Sequence, residues 1–313
     1  MLSNQRGEIM TEAEILKEIE EAKKNGAYEM GTELLDSLKN FENVLTDEKV
    51  TNLNEYCLDL YSSYLDDLFL RVSDEVRESY LNRLRIDEVI KNQKMENEDP
   101  FVTSVYMNLQ SEFGIDRALK TDKYDLDSIL EIYKLLIRYT DSDTKEVHFR
   151  DNNTKFVGTN INGDRHIQYF PIDYKKIPLV MQAICDFING EMFESENLVF
   201  IKPIIVHGLI TAFQPFNDGN SRLARVIMHD LIYKLSKKYG LTSFDLPVVY
   251  TSKASMAFRD NYRTYIKNLV VHHDKKAWIR WIVFNLSNIE TSLEYDRENK
   301  LAKIIIAENK KLI

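Results

Sequence analysis

Between Cys57 and Val72 the apolar residues Cys57, Leu60, Tyr61, Tyr64, Leu65, Leu68 and Val72 recur every three or four positions. That period lays side chains along one stripe of a helix facing a core. It returns at Leu126, Ile129, Leu130, Tyr133, Leu136 and Ile137, where Asp125 or Asp127 supplies negative charge at the helix start. Over residues 147–173 the pattern changes to alternation. VHFRDNNTKFVGTNINGDRHIQYFPID places β-branched and aromatic residues on both sides of Asn162-Gly163, a pair that tolerates the positive φ of a tight hairpin turn. Pro178 then begins an apolar helical run with Leu179, Ile184, Phe187 and Ile188. Pro203 precedes another, and Trp278, Trp281, Ile282 and Phe284 are core candidates of a late helix. The pattern predicts a mainly α protein with one β-hairpin.

Helix-breaking residues divide the chain. Of 313 residues only 10 are glycine and 6 proline; no proline occurs before Pro100 and no glycine between Gly31 and Gly114. Residues 1–98 therefore read as an N-terminal helical region, regulatory or partner-binding. The charged stretch KNQKMENEDP (91–100) reads as the seam to a second domain over 99–295, followed by a helical tail over 296–313.

Composition narrows the function classes. With 44% hydrophobic residues, 17 Tyr and 15 Phe, the chain is neither disordered nor collagen-like. Its 41 basic against 50 acidic residues give a net charge of −9, which argues against the basic footprint that drives nonspecific nucleic-acid binding. The opening MLSNQRGEIMTEAEIL lacks a secretory pattern, and no run of about 18 uncharged apolar residues occurs. The expectation is a cytoplasmic protein that engages neither nucleic acid nor membrane. The two cysteines, Cys57 and Cys185, sit in apolar stretches without metal or disulfide spacing and read as buried thiols.

One segment carries chemistry: IIVHGLITAFQPFNDGNSRLARVIMHDLIYKL, residues 204–235. It reads as an apolar helix, a polar turn through Pro215, Asn217, Asp218 and Gly219, and a second helix starting near Asn220 and Ser221. The first amides of a helix have no internal partner and its N-terminus carries partial positive charge, so such a turn suits an anion. Arg222 and Arg225, three residues apart, would add guanidinium forks for phosphate oxygens. Asp218 could hold a Mg²⁺ that bridges phosphates. A common turn and a simple helix cap would look the same from spacing alone.

The order of these residues resembles the Fic family, whose signature is His-Pro-Phe-x-(Asp/Glu)-Gly-Asn-(Gly/Lys)-Arg-x-x-Arg. Here it reads Gln214-Pro215-Phe216-Asn217-Asp218-Gly219-Asn220-Ser221-Arg222-Leu223-Ala224-Arg225. The stretch FRDNNTKFVGT…QYFPID is similar to the family's flap hairpin, and YTSKASMAFRDNYRTYIKNL followed by KAWIRWIVFNL to its closing helices. The resemblance covers about residues 100–295 and implies a helical fold with a hairpin flap. It also implies AMP transfer from MgATP to a hydroxyl of a target protein. On that reading Asp218 holds the Mg²⁺, and Phe216, Gly219, Asn220, Ser221, Arg222 and Arg225 belong to the nucleotide and phosphate site. Asn220 and Arg222 join the catalytic set, and the flap, through Phe156, Val157, Gly158 and Ile167, docks the target as an added strand.

Two positions depart from the signature. Gln214 stands where the family has the histidine that takes a proton from the attacking hydroxyl; a primary amide forms hydrogen bonds but does not titrate. Transfer is then expected weak or altered, the alternative being an inactive pseudoenzyme that binds a partner. His207 and His229 lie too far along their helices to substitute, and His148 and His166 flank the hairpin. Ser221 replaces glycine or lysine, which matters less where backbone amides form the cradle. The pattern Thr51-Asn52-Leu53-Asn54-Glu55 partly matches the family's inhibitory motif, in which the glutamate pairs with the second arginine, although Tyr56 follows.

Overall fold

The computed structural model describes residues 27–96, 105–138, 146–159 and 165–311, with a few positions before residue 27. Helix α1 (Glu48–Arg71) begins where the Asp47 carboxylate accepts the Lys49 amide, and its buried face is the predicted stripe from Cys57 to Leu68. It ends as Val72 turns to extended backbone while staying buried. Helix α2 (Asp74–Glu96) follows. It runs into the stretch predicted as a seam, because Lys91 to Glu96 contains neither glycine nor proline and nothing there breaks a helix.

Helix α3 (Val105–Leu119) packs against α4 (Leu126–Ile137), whose start is a capping box. Asp125 accepts the Ser128 amide at 2.8 Å, and Ser128 Oγ accepts the Asp125 amide at 2.9 Å. Helix α5 (Ile177–Asn189) carries Pro178 in its first turn. Helix α6 (Ile201–Phe213) is buried along its whole length, with Pro203 within its first turn, where a missing amide costs no hydrogen bond. The 18-residue window Glu196–Phe213 is apolar enough to cross a membrane by composition, but 83% of it is buried in the protein, as befits a core helix.

Helix α7 (Asn220–Lys238) packs along α6 to form the centre of the molecule. Helices α8 (Ser252–Ala257), α9 (Arg259–His272) and α10 (Lys275–Asp296) close around this pair, and α11 (Ala302–Lys311) ends the described chain. α10 lies against α1, α9 and α6, with Trp278, Trp281 and Ile282 fully buried and Phe284 nearly so. Gly208 permits that approach: a Cβ there would sit 2.6 Å from Trp281 Nε1, which instead donates to the Ile204 carbonyl at 3.0 Å.

Among the described residues, β1 (Tyr28–Glu29), β2 (Phe156–Thr159) and β3 (Arg165–Phe170) form one sheet in the order β1-β3-β2. Strands β2 (Phe156–Thr159) and β3 (Arg165–Phe170) are antiparallel, pairing Val157 with Ile167 and Gly158 with His166. The predicted turn at Asn162-Gly163 lies outside the described residues. Strand β1 (Tyr28–Glu29) adds in parallel to β3, pairing Tyr28 with Tyr169. Its two residues are too few for periodicity to reveal. Tyr169 donates to the Ala212 carbonyl at 3.1 Å, which pins the flap to the end of α6. Cys57 and Cys185 are buried free thiols, and burial pushes both up to about 12.

Candidate active site

Helix α6 stops at Phe213 because Gln214 adopts left-handed backbone, φ 49° and ψ 62°. A non-glycine residue holds that conformation only when its surroundings fix it. The fixing groups are explicit. Arg150, 2% exposed, donates Nε to the Gln214 carbonyl at 2.7 Å, while its own amide donates to the Pro215 carbonyl at 2.9 Å. Its other nitrogens reach the carbonyls of Asn152 and Ile172. Burial lowers this guanidinium to about 10, within the range where it stays charged at neutral pH.

Asn220 closes the turn from the other side. Its side chain accepts the Phe216 amide at 2.8 Å and donates both to the Phe216 carbonyl at 2.8 Å and to Gln214 Oε1 at 3.0 Å. Gln214 Nε2 donates to the Thr211 carbonyl, so both ends of that amide bond within the turn. Phe216 is the hydrophobic anchor: its ring is 1% exposed and stacks on Tyr133 with centroids 3.5 Å apart. The Tyr133 hydroxyl donates to the Asp218 carbonyl at 2.9 Å. Gly219, at φ 74°, then turns the chain into α7.

The two arginines of the turn are buried, Arg222 at 2% and Arg225 at 0% exposure. Arg222 Nη2 bonds Asp218 Oδ2 at 3.0 Å, leaving the Asp218 side chain 54% exposed at the mouth of the turn. Arg225 Nε donates to Asn92 Oδ1 on α2 at 2.7 Å. Further along α7, His229 Nδ1 lies 3.4 Å from Glu88 Oε1, and Glu88 accepts hydrogen bonds from the amide and hydroxyl of Ser252. Burial pushes Glu88 up to about 7, although Ser252 and the charge of Arg225 pull the other way. Burial and then the Arg225 charge push His229 down to about 3, so its imidazole is neutral. His207 is fully buried between Asn285 and Tyr262, at 3.1 Å from each, and the same causes hold it well below its ordinary value. Both are packed histidines. His148 is exposed beside its neighbour's carbonyl, and the side chain of His166 lies outside the described residues.

Gln214, Asn217, Asp218, Gly219, Asn220 and Ser221 line one cleft together with the flap residues Phe156 and Val157. Its volume, about 160 Å³, suits phosphoryl groups and is smaller than the roughly 300–1,000 Å³ of a typical pocket for a whole small molecule. Ile167 pairs with Val157 across the flap but does not line the cleft, and neither does the core-packed Phe216. Arg222 and Arg225 are buried and do not line the cleft. Sequence reasoning missed Arg259, Tyr262 and Arg263 of α9, which complete the cleft. The signal was present as two arginines four positions apart on a helix, one face of which also carries tyrosine.

Glu55 requires a correction. It is exposed on α1 and forms no ion pair with Arg225; its neighbours Asn54 and Cys57 take the buried face of that helix. The described side chain that reaches Arg225 from the N-terminal region belongs to Asn92. Among the described residues no group of three or more His, Cys, Asp or Glu side chains could hold a metal unaided. The half-exposed Asp218 carboxylate fits Mg²⁺ in the manner typical of that ion, with substrate oxygens supplying other ligands.

Residues 123–232, from just before α4 through most of α7, match the Fic/DOC family. The fold is similar to that of a Fic family protein from Desulfovibrio desulfuricans G20 at 13% identity and a TM-score of 0.60, over 80% of this chain and 76% of the other. It is also similar to a Fic domain containing signaling protein from Bacteroides thetaiotaomicron VPI-5482, at 12% identity and a TM-score of 0.55, over 82% and 97% of the two chains. A third likeness is Fic-1 from C. elegans, at 16% identity and a TM-score of 0.50, over 78% and 71%. At these identities the likeness is one of fold.

Proposed function

We propose that the cleft binds the phosphates of ATP with Mg²⁺ at Asp218, and that the protein transfers AMP slowly to a hydroxyl of a target protein. The observation that carries this reading is the convergence on one small cleft of an α7 N-terminus, a half-exposed carboxylate, the α9 arginines and the flap. The Fic/DOC domain at residues 123–232 supports it, since that family includes enzymes that transfer AMP. The amides of Gly219, Asn220 and Ser221 would receive phosphate oxygens, with Arg222 and Arg225 adding positive charge behind them. Mg²⁺, when bound, would neutralise charge on the phosphates. Phe156 and Val157 would align the target segment by backbone pairing along β2, presenting its hydroxyl to the cleft.

Gln214 sets the rate. Its amide cannot accept a proton, and its hydrogen bonds to Thr211 and Asn220 occupy it in the turn. A positioned general base contributes roughly 10²–10⁴-fold, and phosphoryl transfer retains the part that rests on positioning and charge. The test is transfer of α-phosphate-labelled ATP onto protein by the chain beside Gln214→His. Slow labelling by the parent and labelling faster by about 10²–10⁴ in the variant is the expected result. Absence of labelling in both, together with no thermal stabilisation by MgATP, would overturn the reading.

A further inference from the structure

A second and larger cavity, about 430 Å³, opens between α2, α8 and α10 and shares no lining residue with the cleft. Its size lies in the usual range for small-molecule sites. Much of its wall is apolar. Ala254 and Ala257, one helical turn apart on α8, leave the space open, and the rings of Phe258 and Tyr295 line it while 46% and 40% exposed. Two large aromatic side chains left wet at one cavity are surface that a ligand would cover.

Lys300 bonds both Asp87, at 3.1 Å, and Asp296, at 2.9 Å, and the Glu88 carboxylate is held by Ser252. Lys91 and Lys253 line the same cavity and form no ion pair among the described residues. Lys253 Nζ instead stands over the Tyr295 ring, 2.9 Å from its centroid. Lys300 thus answers Asp87 and Asp296, Lys253 adds its charge near Asp296, and Lys91 and Lys253 together border an aromatic wall. Apolar walls favour a flat hydrocarbon body, and the cations favour an anionic group at its edge.

We infer that this cavity is a second ligand site, for a small aromatic anion such as an aryl carboxylate or sulfonate. It is walled by the same helix, α2, that carries Asn92 to Arg225.

Two dyes that differ only in the charged group test this on the full chain. 1-Anilinonaphthalene-8-sulfonate carries the anion and N-phenyl-1-naphthylamine lacks it. The sulfonate is expected to bind more tightly, and Ala257→Trp, at an exposed position, to weaken both dyes about tenfold by filling the space. Ala254→Leu fills the same space from one turn earlier and serves if the first variant is misfolded. Lys91→Ala with Lys253→Ala is expected to weaken the sulfonate alone, and saturating MgATP to leave both bound. Unchanged binding in the filled variants, an unchanged sulfonate affinity without the lysines, or displacement by MgATP would each overturn the inference. The dye readouts require no nucleotide chemistry, so their failure is distinct from failure of the proposed activity.

Discussion

Asn92 accepts a hydrogen bond from Arg225 Nε at 2.7 Å, joining α2 to the second arginine of the turn across 133 positions. A fully buried guanidinium is tolerated only where hydrogen-bonding groups replace water. Helix α2 supplies such a group from the N-terminal region, beside the residue's other contacts. Asn92→Leu keeps the size and removes the acceptor, so it is expected to lower stability by about 1–3 kcal/mol in urea unfolding. Asn92→Asp retains an acceptor and is expected to lose less; equal losses in the two variants would show that the hydrogen bond is not the cause.

Glu88 makes stability depend on pH in a stated direction. Burial raises its pKa from 4.5 to about 7, so the folded chain holds this proton more tightly than the unfolded chain. That contribution is complete below pH about 4.5 and is lost as pH rises through about 7. Glu88→Gln stays neutral. Relative to the parent it should gain stability between pH about 5 and 8, by up to roughly 3 kcal/mol at 1.36 kcal/mol per unit. His229, present in both proteins, largely cancels from the difference. A difference independent of pH would show that Glu88 ionises at its ordinary value.

How much of this was legible in the sequence depends on the range of the interaction. The α1 stripe, the α4 start near Asp125 or Asp127 and the flap strands follow from periods of a few residues, and the structure has each of them, with Asp125 as the cap. The turn from Gln214 to Arg225 was legible as an ordered run of residue types. Strand β1 was not, since two residues carry no period. The packing of Phe216 was not legible, because its stacking on Tyr133 is a contact between distant positions. Arg150 escaped notice for the same reason. Its role lies in carbonyls at 214, 152 and 172, and a lone arginine in an alternating stretch gives no hint of them.

Arg150 offers a direct test of what holds Gln214 in its left-handed conformation. Arg150→Ala leaves three carbonyls without their donor, that of Ile172 buried and those of Gln214 and Asn152 part-buried, and each such loss typically costs about 1–3 kcal/mol where water cannot enter. Denaturant unfolding is expected to show a loss of at least about 2 kcal/mol. Arg150→Lys keeps the charge but not the fork that reaches separate carbonyls, so it should recover only a small part. Full recovery by lysine would mean that charge, not the geometry of the clamp, matters.

Gly219 and Gly240 form a matched pair that separates backbone strain from crowding. Both have positive φ, 74° and 73°, so alanine at either pays the left-handed penalty of roughly 1–2 kcal/mol. At Gly240 a new Cβ would meet nothing within 4 Å. At Gly219 it would lie 3.2 Å from Arg222 Nη2, Ile137 Cγ2 and Tyr133 Cε2, tight against the groups that shape the turn. Gly219→Ala is therefore expected to lose more stability than Gly240→Ala, the excess measuring how closely α4 and Arg222 pack on the turn. It should also weaken stabilisation by MgATP, which Gly240→Ala should leave intact. Equal losses in the two variants, with MgATP stabilisation preserved in both, would show that the turn yields to a methyl group and that its close packing is not required for the cleft.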